Sequence, residues 1–150
     1  MRPARPGEEA ALTELAVRSK AHWGHDAEFL ERARAELTVA PGDLDRLIVR
    51  VAERDGEPLG FCAVDPGADP PELVALFVEP RAIGTGAGRA LLAAARAEAG
   101  AAGIAELAIE SDPDAEPFYL AQGAERAGTR TSPSTGRVLP LLRIATEAPA

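Results

Sequence analysis

A mixed α/β fold is predicted: a central, mostly antiparallel sheet of about seven strands with helices on both faces, in the order β-αα-βββ-α-β-α-ββ. Three observations predict it. Apolar residues switch along the chain between strand-like alternation and helical spacing. A strong hairpin signal, Arg54-Asp55-Gly56-Glu57, separates two β-rich runs. A nearly all-apolar run, Leu73 to Val78, leads through glycines into a helical pattern and a further strand, the order of a right-handed parallel crossover.

The elements follow in order. Arg2 to Ala4 reads as a short first strand. Gly7 to Lys20 carries Ala11, Leu12, Leu15, Ala16 and Ser19 at helical spacing, and His22-Trp23-Gly24-His25 breaks it. Asp26 is an N-cap for a second helix to Leu37, with Phe29, Leu30, Ala33 and Leu37 along one stripe. Pro41-Gly42 ends that unit. Arg46 to Glu53 alternates, with Leu47, Val49 and Val51 on one side, and Leu59 to Val64 is its hairpin partner. Leu73 to Val78 reads as a strand buried on both faces. Arg89 to Ala102 is a helix, apolar at Leu91, Leu92, Ala95, Ala99 and Ala102, with Gly103 as its C-terminal cap. Ile104 to Glu110 is a strand. Ala115 to Gln122 is a short helix capped by Asp114, which places Pro117 in the first turn, where no N–H bond is lost. Arg126 to Thr131 and Val138 to Ile144 form a final antiparallel pair.

Length and composition set bounds. The 150 residues suit a single domain over 1–150, which buries roughly 70% of the surface of its extended chain. The net charge of −8 repels phosphate backbones, so no nucleic acid is expected as a partner. The lone cysteine, Cys62, excludes an internal disulfide and lies in an apolar strand, as a buried structural thiol does. Arg2 to Ala10 is unlike a signal peptide, and no apolar run approaches the ~20 residues of a membrane span. The cytoplasm is the expected compartment, with no membrane partner.

The most informative segment runs from Leu76-Phe77-Val78 through Ile83-Gly84-Thr85-Gly86-Ala87-Gly88 to Arg89. Alternate glycines let backbone approach a ligand, and free N–H groups at a helix start attract anions. A P-loop needs a different glycine spacing and Lys-Ser/Thr where Arg89-Ala90 stands. A dinucleotide fingerprint needs a third glycine where Arg89 stands. A purely structural glycine turn is the remaining alternative.

Here the chain resembles the GCN5-related N-acetyltransferase (GNAT) superfamily, whose main motif is [R/Q]-x-x-G-x-[G/A] at a strand-to-helix turn. Aligned on the glycines and on Leu91-Leu92, that motif maps to Ile83-Gly84-Thr85-Gly86-Ala87-Gly88. Ile83 stands where Arg or Gln is usual, and Arg81 lies two residues early. Binding in the family is mainly through backbone, so Ile83 is expected to weaken affinity without abolishing it. The resemblance implies acetyl-CoA as co-substrate. It implies that N–H groups from Ile83 to Arg89 hold the pyrophosphate, and that the backbone of Leu76, Phe77 and Val78 pairs with the pantetheine arm. A backbone N–H on a Leu76–Phe77 bulge would hold the thioester oxygen.

A second match, Asp112-Pro113-Asp114-Ala115-Glu116-Pro117-Phe118-Tyr119-Leu120-Ala121-Gln122-Gly123-Ala124, resembles the family pattern N-x-x-A-x-x-F-Y-x-x-x-G-F. Asp112 replaces Asn and Ala124 replaces Phe. Asp112, Ala115 and Phe118 fall on the cofactor side by this resemblance. Tyr119, the only tyrosine, becomes the general acid for the departing thiolate; the other reading is an amphipathic residue at the core edge. A phenol near pKa 10 and a thiol near 8.5 make full transfer uphill by roughly 2 kcal/mol, whereas hydrogen bonding to the thiolate needs no such transfer.

The acceptor amine must lose a proton, and Glu72, Glu110 and Asp112 at strand ends are candidate bases. His22 and Trp23 are candidate acceptor contacts, because the connection between the first two helices lines the acceptor pocket in this superfamily; Trp23 is otherwise a core anchor. His22 and His25 lack the companions of a metal site, so no metal is expected. The expected activity is acetyl transfer to a primary amine of a small molecule or peptide, by direct attack through a tetrahedral intermediate. The alternative is a catalytically silent CoA-binding regulatory or structural domain of the same fold. The resemblance also admits a homodimer.

Overall fold

The computed structural model of the protein describes residues 1–133 and 135–147. Its elements are β1 (Arg2–Pro3), α1 (Glu9–Ala21), α2 (Ala27–Leu37), α3 (Asp43–Arg46), β2 (Ile48–Arg54), β3 (Glu57–Asp65), β4 (Glu72–Val78), a 3₁₀ turn (Pro80–Ala82), α4 (Ala87–Ala101), β5 (Glu106–Glu110), α5 (Glu116–Ala121), β6 (Glu125–Thr131) and β7 (Val138–Ala145). The seven strands form one sheet in the order β1-β2-β3-β4-β5-β7-β6. Only β4 and β5 pair in parallel, and the other neighbours are antiparallel. This is the mixed sheet and element order expected, with one addition.

That addition is α3. The chain makes one helical turn after Pro41-Gly42, where the Asp43 carboxylate accepts the Ala40 N–H at 2.8 Å. The strand then begins at Ile48 and not at Arg46. A turn this short offers too few apolar positions to show a period.

Alternation along the strands builds two cores. Phe61 and Ala63 of β3 pack with Leu12, Leu15 and Ala16 of α1 and with Ala33 and Leu37 of α2. Cys62 and Val64 pack with Leu91, Leu92, Ala95 and Ala99 of α4. Helices therefore cover both faces of the sheet. Burying a side chain such as Leu91 or Leu92 is worth about 1.5–3 kcal/mol. Gly60 permits the close approach of α4 to β3, since a Cβ there would lie 2.7 Å from the Phe77 carbonyl oxygen and 2.9 Å from Leu91 Cδ1.

The N-caps divide. Asp26 caps α2 as expected, its carboxylate accepting the Phe29 N–H at 2.8 Å. Asp114 does not cap α5, where Ala115 is the capping residue and makes no side-chain bond. The Asp112 carboxylate instead accepts the Asp114 N–H at 3.0 Å and turns the chain one step earlier. Pro117 still falls in the first turn.

Strand β4 departs most from expectation. It is not buried on both faces: Val74 is 41% exposed, and Ala75 to Val78 are only partly buried. The cause is its pairing. Only Glu72 and Leu73 pair with β5, opposite Ala108 and Ile109. Beyond them the two parallel strands part. The bulge also lies elsewhere. Ala63 faces Ala75 and Val64 faces Leu73, so Val74 is the extra residue and Leu76–Phe77 runs in regular register.

Candidate active site

The opening between β4 and β5 organises the site. The Glu79 N–H donates to the Leu59 carbonyl at 2.7 Å. Antiparallel alternation back from that bond turns the Phe77 N–H towards β3 and those of Leu76 and Val78 into the opening. The Val78 N–H meets Ser19 Oγ of α1 at 3.4 Å. Leu76 and Val78, and not Phe77, therefore turn their N–H groups into the opening, that of Val78 towards Ser19.

At the end of β4 the glycine turn begins. Gly84 and Gly86 have φ of +83° and +90°, and neither would meet an atom within 4 Å if it carried a Cβ. Their role is conformational and not spatial. Gly86 is the N-cap of α4. The Ile83 N–H bonds the Pro80 carbonyl at 3.3 Å and the Thr85 N–H bonds the Ala82 carbonyl at 3.2 Å. These two groups, within the expected set of anion donors, here bond the turn itself. The N–H groups of Gly84, Gly86, Ala87, Gly88 and Arg89 donate to no acceptor among the described residues. Converging at a helix start, they fit a diphosphate. Arg81 does not replace the missing Arg or Gln: its guanidinium bonds Glu57 at 3.1 Å across the exposed surface. The Arg89 side chain is exposed. Phe118 packs beside Gly88, its ring carbons 3.6 Å from the Cβ that a larger residue would carry.

A cavity of about 140 Å³ lies where β4 and β5 part. Leu76, Ile109, Ala115 and Tyr119 line it on the α4 side, and Ser19, Trp23, Ala75 and Phe77 on the α1 side. It thus passes through the sheet where β4 and β5 part. Tyr119 is 6% exposed. Its backbone N–H bonds the Ala115 carbonyl at 3.2 Å. Its hydroxyl makes no hydrogen bond to a described residue. Burial, reinforced by the neighbouring Cys62 thiol, pushes the phenol above its ordinary pKa. The group therefore stays protonated at working pH. Burial pushes Cys62 up to about 11, which makes it an inert core thiol.

The three candidate bases separate by their partners. Burial opposes ionisation of Asp112, yet the Asp114 N–H, Lys20 at 3.1 Å and Arg137 at 3.4 Å hold its carboxyl below the usual range. Glu110, which lines the cavity, pairs with Arg130 at 2.5 Å. Glu72 forms no ion pair with a described residue, and burial, then Glu110 and Asp65, push its pKa up. Glu72 is thus the carboxyl left without an ion-pair partner among the described residues, but of the three only Glu110 and Asp112 line the cavity, so Glu72 reaches it from the adjoining end of β4.

Trp23 is not a core anchor. It is 49% exposed and lines the cavity, with His22 edge-on to its ring at 5.3 Å. His22 is exposed and does not line the cavity.

Sequence reasoning missed a cluster beside the opening. Lys20, the single lysine, ends α1 and pairs with Asp112. Arg137 reaches the same carboxylate from beyond β6, and its guanidinium lies 5.2 Å from the Phe29 ring centroid. His25 stacks on Phe29 at 4.0 Å, and burial, then the Arg137 charge, lowers its pKa. The one signal was the scarcity of lysine. His25, Asp112 and Asp114 place ligand-type atoms within 4.8 Å of one another. Lys20 and Arg137 already neutralise the central carboxylate, which disfavours a metal there.

The comparisons agree with this geometry. The family model of the acetyltransferase (GNAT) domain matches residues 45–123, more than half of the chain, including the glycine turn and the second motif up to Gly123. No curated protein matches. Among solved structures, a GCN5-related N-acetyltransferase from Rhodopseudomonas palustris is similar at 22% identity and TM-score 0.80, over 96% of this chain and 93% of that one. The PaiA N-acetyltransferase of Thermoplasma acidophilum, in complex with coenzyme A, is similar at 19% identity and TM-score 0.79, over 96% of each chain. A ribosomal-protein-alanine N-acetyltransferase from Brucella melitensis is similar at 25% identity and TM-score 0.68, over 96% of this chain and 98% of that one. With its free N–H cradle at a strand-to-helix turn, its parted parallel strands and its matching family model, the chain belongs to the GNAT acetyltransferases, enzymes that draw their acetyl group from acetyl-CoA.

Proposed function

We propose that the protein acetylates a primary amine by direct attack on acetyl-CoA, with Tyr119 as the general acid. One observation carries the reading. The cavity where β4 and β5 part is lined by both Tyr119, whose hydroxyl has no partner among the described residues, and Leu76, whose N–H turns into the opening.

Acetyl-CoA supplies an acyl thioester. The chain's residues do the rest. The N–H groups of Gly84, Gly86, Ala87, Gly88 and Arg89 grip the diphosphate. The Leu76 N–H polarises the thioester oxygen from regular strand, not from a bulge, and the Val78 N–H exchanges Ser19 Oγ for the arm. Glu72, directly or through a water, accepts the proton that the incoming ammonium must lose. Tyr119 Oη donates a hydrogen bond to the sulfur as the carbon–sulfur bond breaks. Asp112 is a positioning residue, locked between Lys20 and Arg137.

Ribosomal-protein-alanine N-acetyltransferases among the similar structures support a peptide amine as acceptor, and a nourseothricin acetyltransferase supports a small-molecule one. Thermal-shift binding of acetyl-CoA, followed by thiol release across an amine panel, tests the reading. Binding with turnover is expected. Binding without turnover on any amine would favour a silent CoA-binding domain, and no binding would end the assignment.

A further inference from the structure

We infer that the acceptor is a primary amine carried on a compact apolar body, and that this body seats in a second cavity on the α1/α2 face of the sheet. The inference rests on the acetyl-transfer reading above and deepens it by naming the substrate class.

The second cavity has a volume of about 210 Å³. Val49, Phe61 and Ala63 of β2 and β3 line it from the sheet, and Leu37 and Leu47 from the segments around α3. It opens to solvent at Glu36, Thr38 and Arg46, and its floor is the apolar face of the sheet. An apolar cavity of about 150 Å³ is already enough to hold a benzene. This one holds a single ring or a branched alkyl group.

Two features tie the cavity to the chemistry. First, it shares Val74, Ala75 and Phe77 with the cavity that contains Tyr119. The bulge residue Val74 stands at the junction. A body seated in the second cavity leaves its amine at the parting of β4 and β5, on the face that carries Glu72 and Glu110. Second, the charges at its rim are engaged within the protein. Arg46 bonds Asp43 at 3.0 Å and Asp65 at 2.8 Å, and the Asp43 carboxylate also takes the Ala40 N–H. Ser132 Oγ meets Glu36 Oε1 at 3.5 Å. A polyamine or a polycationic sugar needs several carboxylates along its path, and these are committed elsewhere. An apolar body needs none.

The test compares 2-phenylethylamine with spermidine as acceptors, in the wild type and in Ala63→Leu, which fills the cavity without touching either motif. One methylene more or less in an apolar pocket changes specificity by roughly 10–200-fold. Wild type is expected to favour 2-phenylethylamine in kcat/KM by at least about tenfold. Ala63→Leu is expected to erase that preference with the KM for acetyl-CoA unchanged. Preference for spermidine in the wild type, or an undiminished preference in Ala63→Leu, would overturn the inference. If Ala63→Leu does not fold, Val49→Ala takes its place and is expected to shift preference towards the bulkier 2-(1-naphthyl)ethylamine; no shift counts against the pocket. Thermal-shift binding of 2-phenylethylamine separates the two layers. Stabilisation seen in the wild type and lost in Ala63→Leu, with no thiol release, upholds the pocket and sinks acetyl transfer. Turnover with no such dependence does the reverse.

Discussion

The two halves of the proposed site are built in different ways. The cofactor half is backbone: N–H groups of the glycine turn and of β4, set by positive φ at Gly84 and Gly86 and by the short pairing of β4 with β5. The half proposed for the acceptor is side chain: Trp23, Lys20 and Asp112 line the opening, Arg137 braces Asp112 from the segment before β7, and the second cavity adjoins them through Val74, Ala75 and Phe77. A backbone site tolerates changes of side chain so long as φ and ψ are kept. A side-chain site changes with each substitution. The division explains how Ile83 can occupy a motif position where Arg or Gln is usual while the cradle of free N–H groups remains intact.

Tyr119 sits between the halves, so it gives the largest predicted effect. Removal of its hydroxyl is expected to lower kcat by about 10²–10⁴-fold, the usual worth of general acid help. Acetyl-CoA affinity should stay within about twofold, because the backbone cradle is untouched. Single-turnover thiol release and titration calorimetry on Tyr119→Phe read both numbers, and unchanged kcat removes the phenol from the mechanism. Gly86→Val attacks the backbone half directly. A β-branched residue at φ of +90° is strained by about 1–3 kcal/mol and re-aims the N–H groups of the turn. Acetyl-CoA affinity is expected to fall about 10–100-fold by calorimetry, and equal affinity would show that the turn does not hold the diphosphate.

The same division marks what was legible in the sequence. The glycine turn is local: strand, glycines and helix lie within a few residues, so period and turn chemistry reveal them together. The Asp26 cap, the Asp55-Gly56 hairpin and the placement of Pro117 were legible for the same reason. The parting of β4 from β5 was not, because an apolar run looks alike whether a neighbouring strand or an opening lies beside it. The Val74 bulge depends on register with β3, which no local pattern carries. The cluster around Asp112 joins residues 92 and 25 positions apart in sequence. Nothing near Arg137 announces it.

Asp112→Asn probes that cluster through stability. The folded carboxyl has a pKa below its ordinary value, so its pairing stabilises the protein above the ordinary aspartate range of about 4 and is lost as pH falls through the folded value. The variant should be less stable than wild type by about 1–3 kcal/mol near neutrality, the worth of charged hydrogen bonds in a partly exposed site. The gap should shrink towards about pH 3. Urea melts at the two pH values decide it, and a gap that does not change with pH would mean that Lys20 and Arg137 do not hold the carboxylate. Trp23→Ala tests the acceptor contact. Its acceptor KM is expected to rise about tenfold, as for a lost apolar contact in a pocket, with the KM for acetyl-CoA unchanged. His22→Ala, at an exposed ring outside the cavity, should match wild type. Equal acceptor KM in Trp23→Ala would place the acceptor elsewhere.

The smallest effect is the sharpest test of the division. Arg81 is the residue best placed by sequence to replace the charge missing at Ile83, yet its guanidinium is turned to Glu57, with both side chains more than half exposed. Exposed pairs of this kind are worth about 0–1 kcal/mol. If the cradle is backbone, Arg81→Ala should change acetyl-CoA affinity by less than about twofold and stability by no more than that surface pair provides. A tenfold loss of affinity would mean that Arg81 leaves Glu57 when the diphosphate arrives, so that a side chain carries the charge after all. The double variant Glu57→Gln with Arg81→Ala separates the cases. A backbone cradle predicts no further loss over Glu57→Gln alone, whereas a swinging arginine predicts that Glu57→Gln tightens binding and that the added Arg81→Ala cancels the gain.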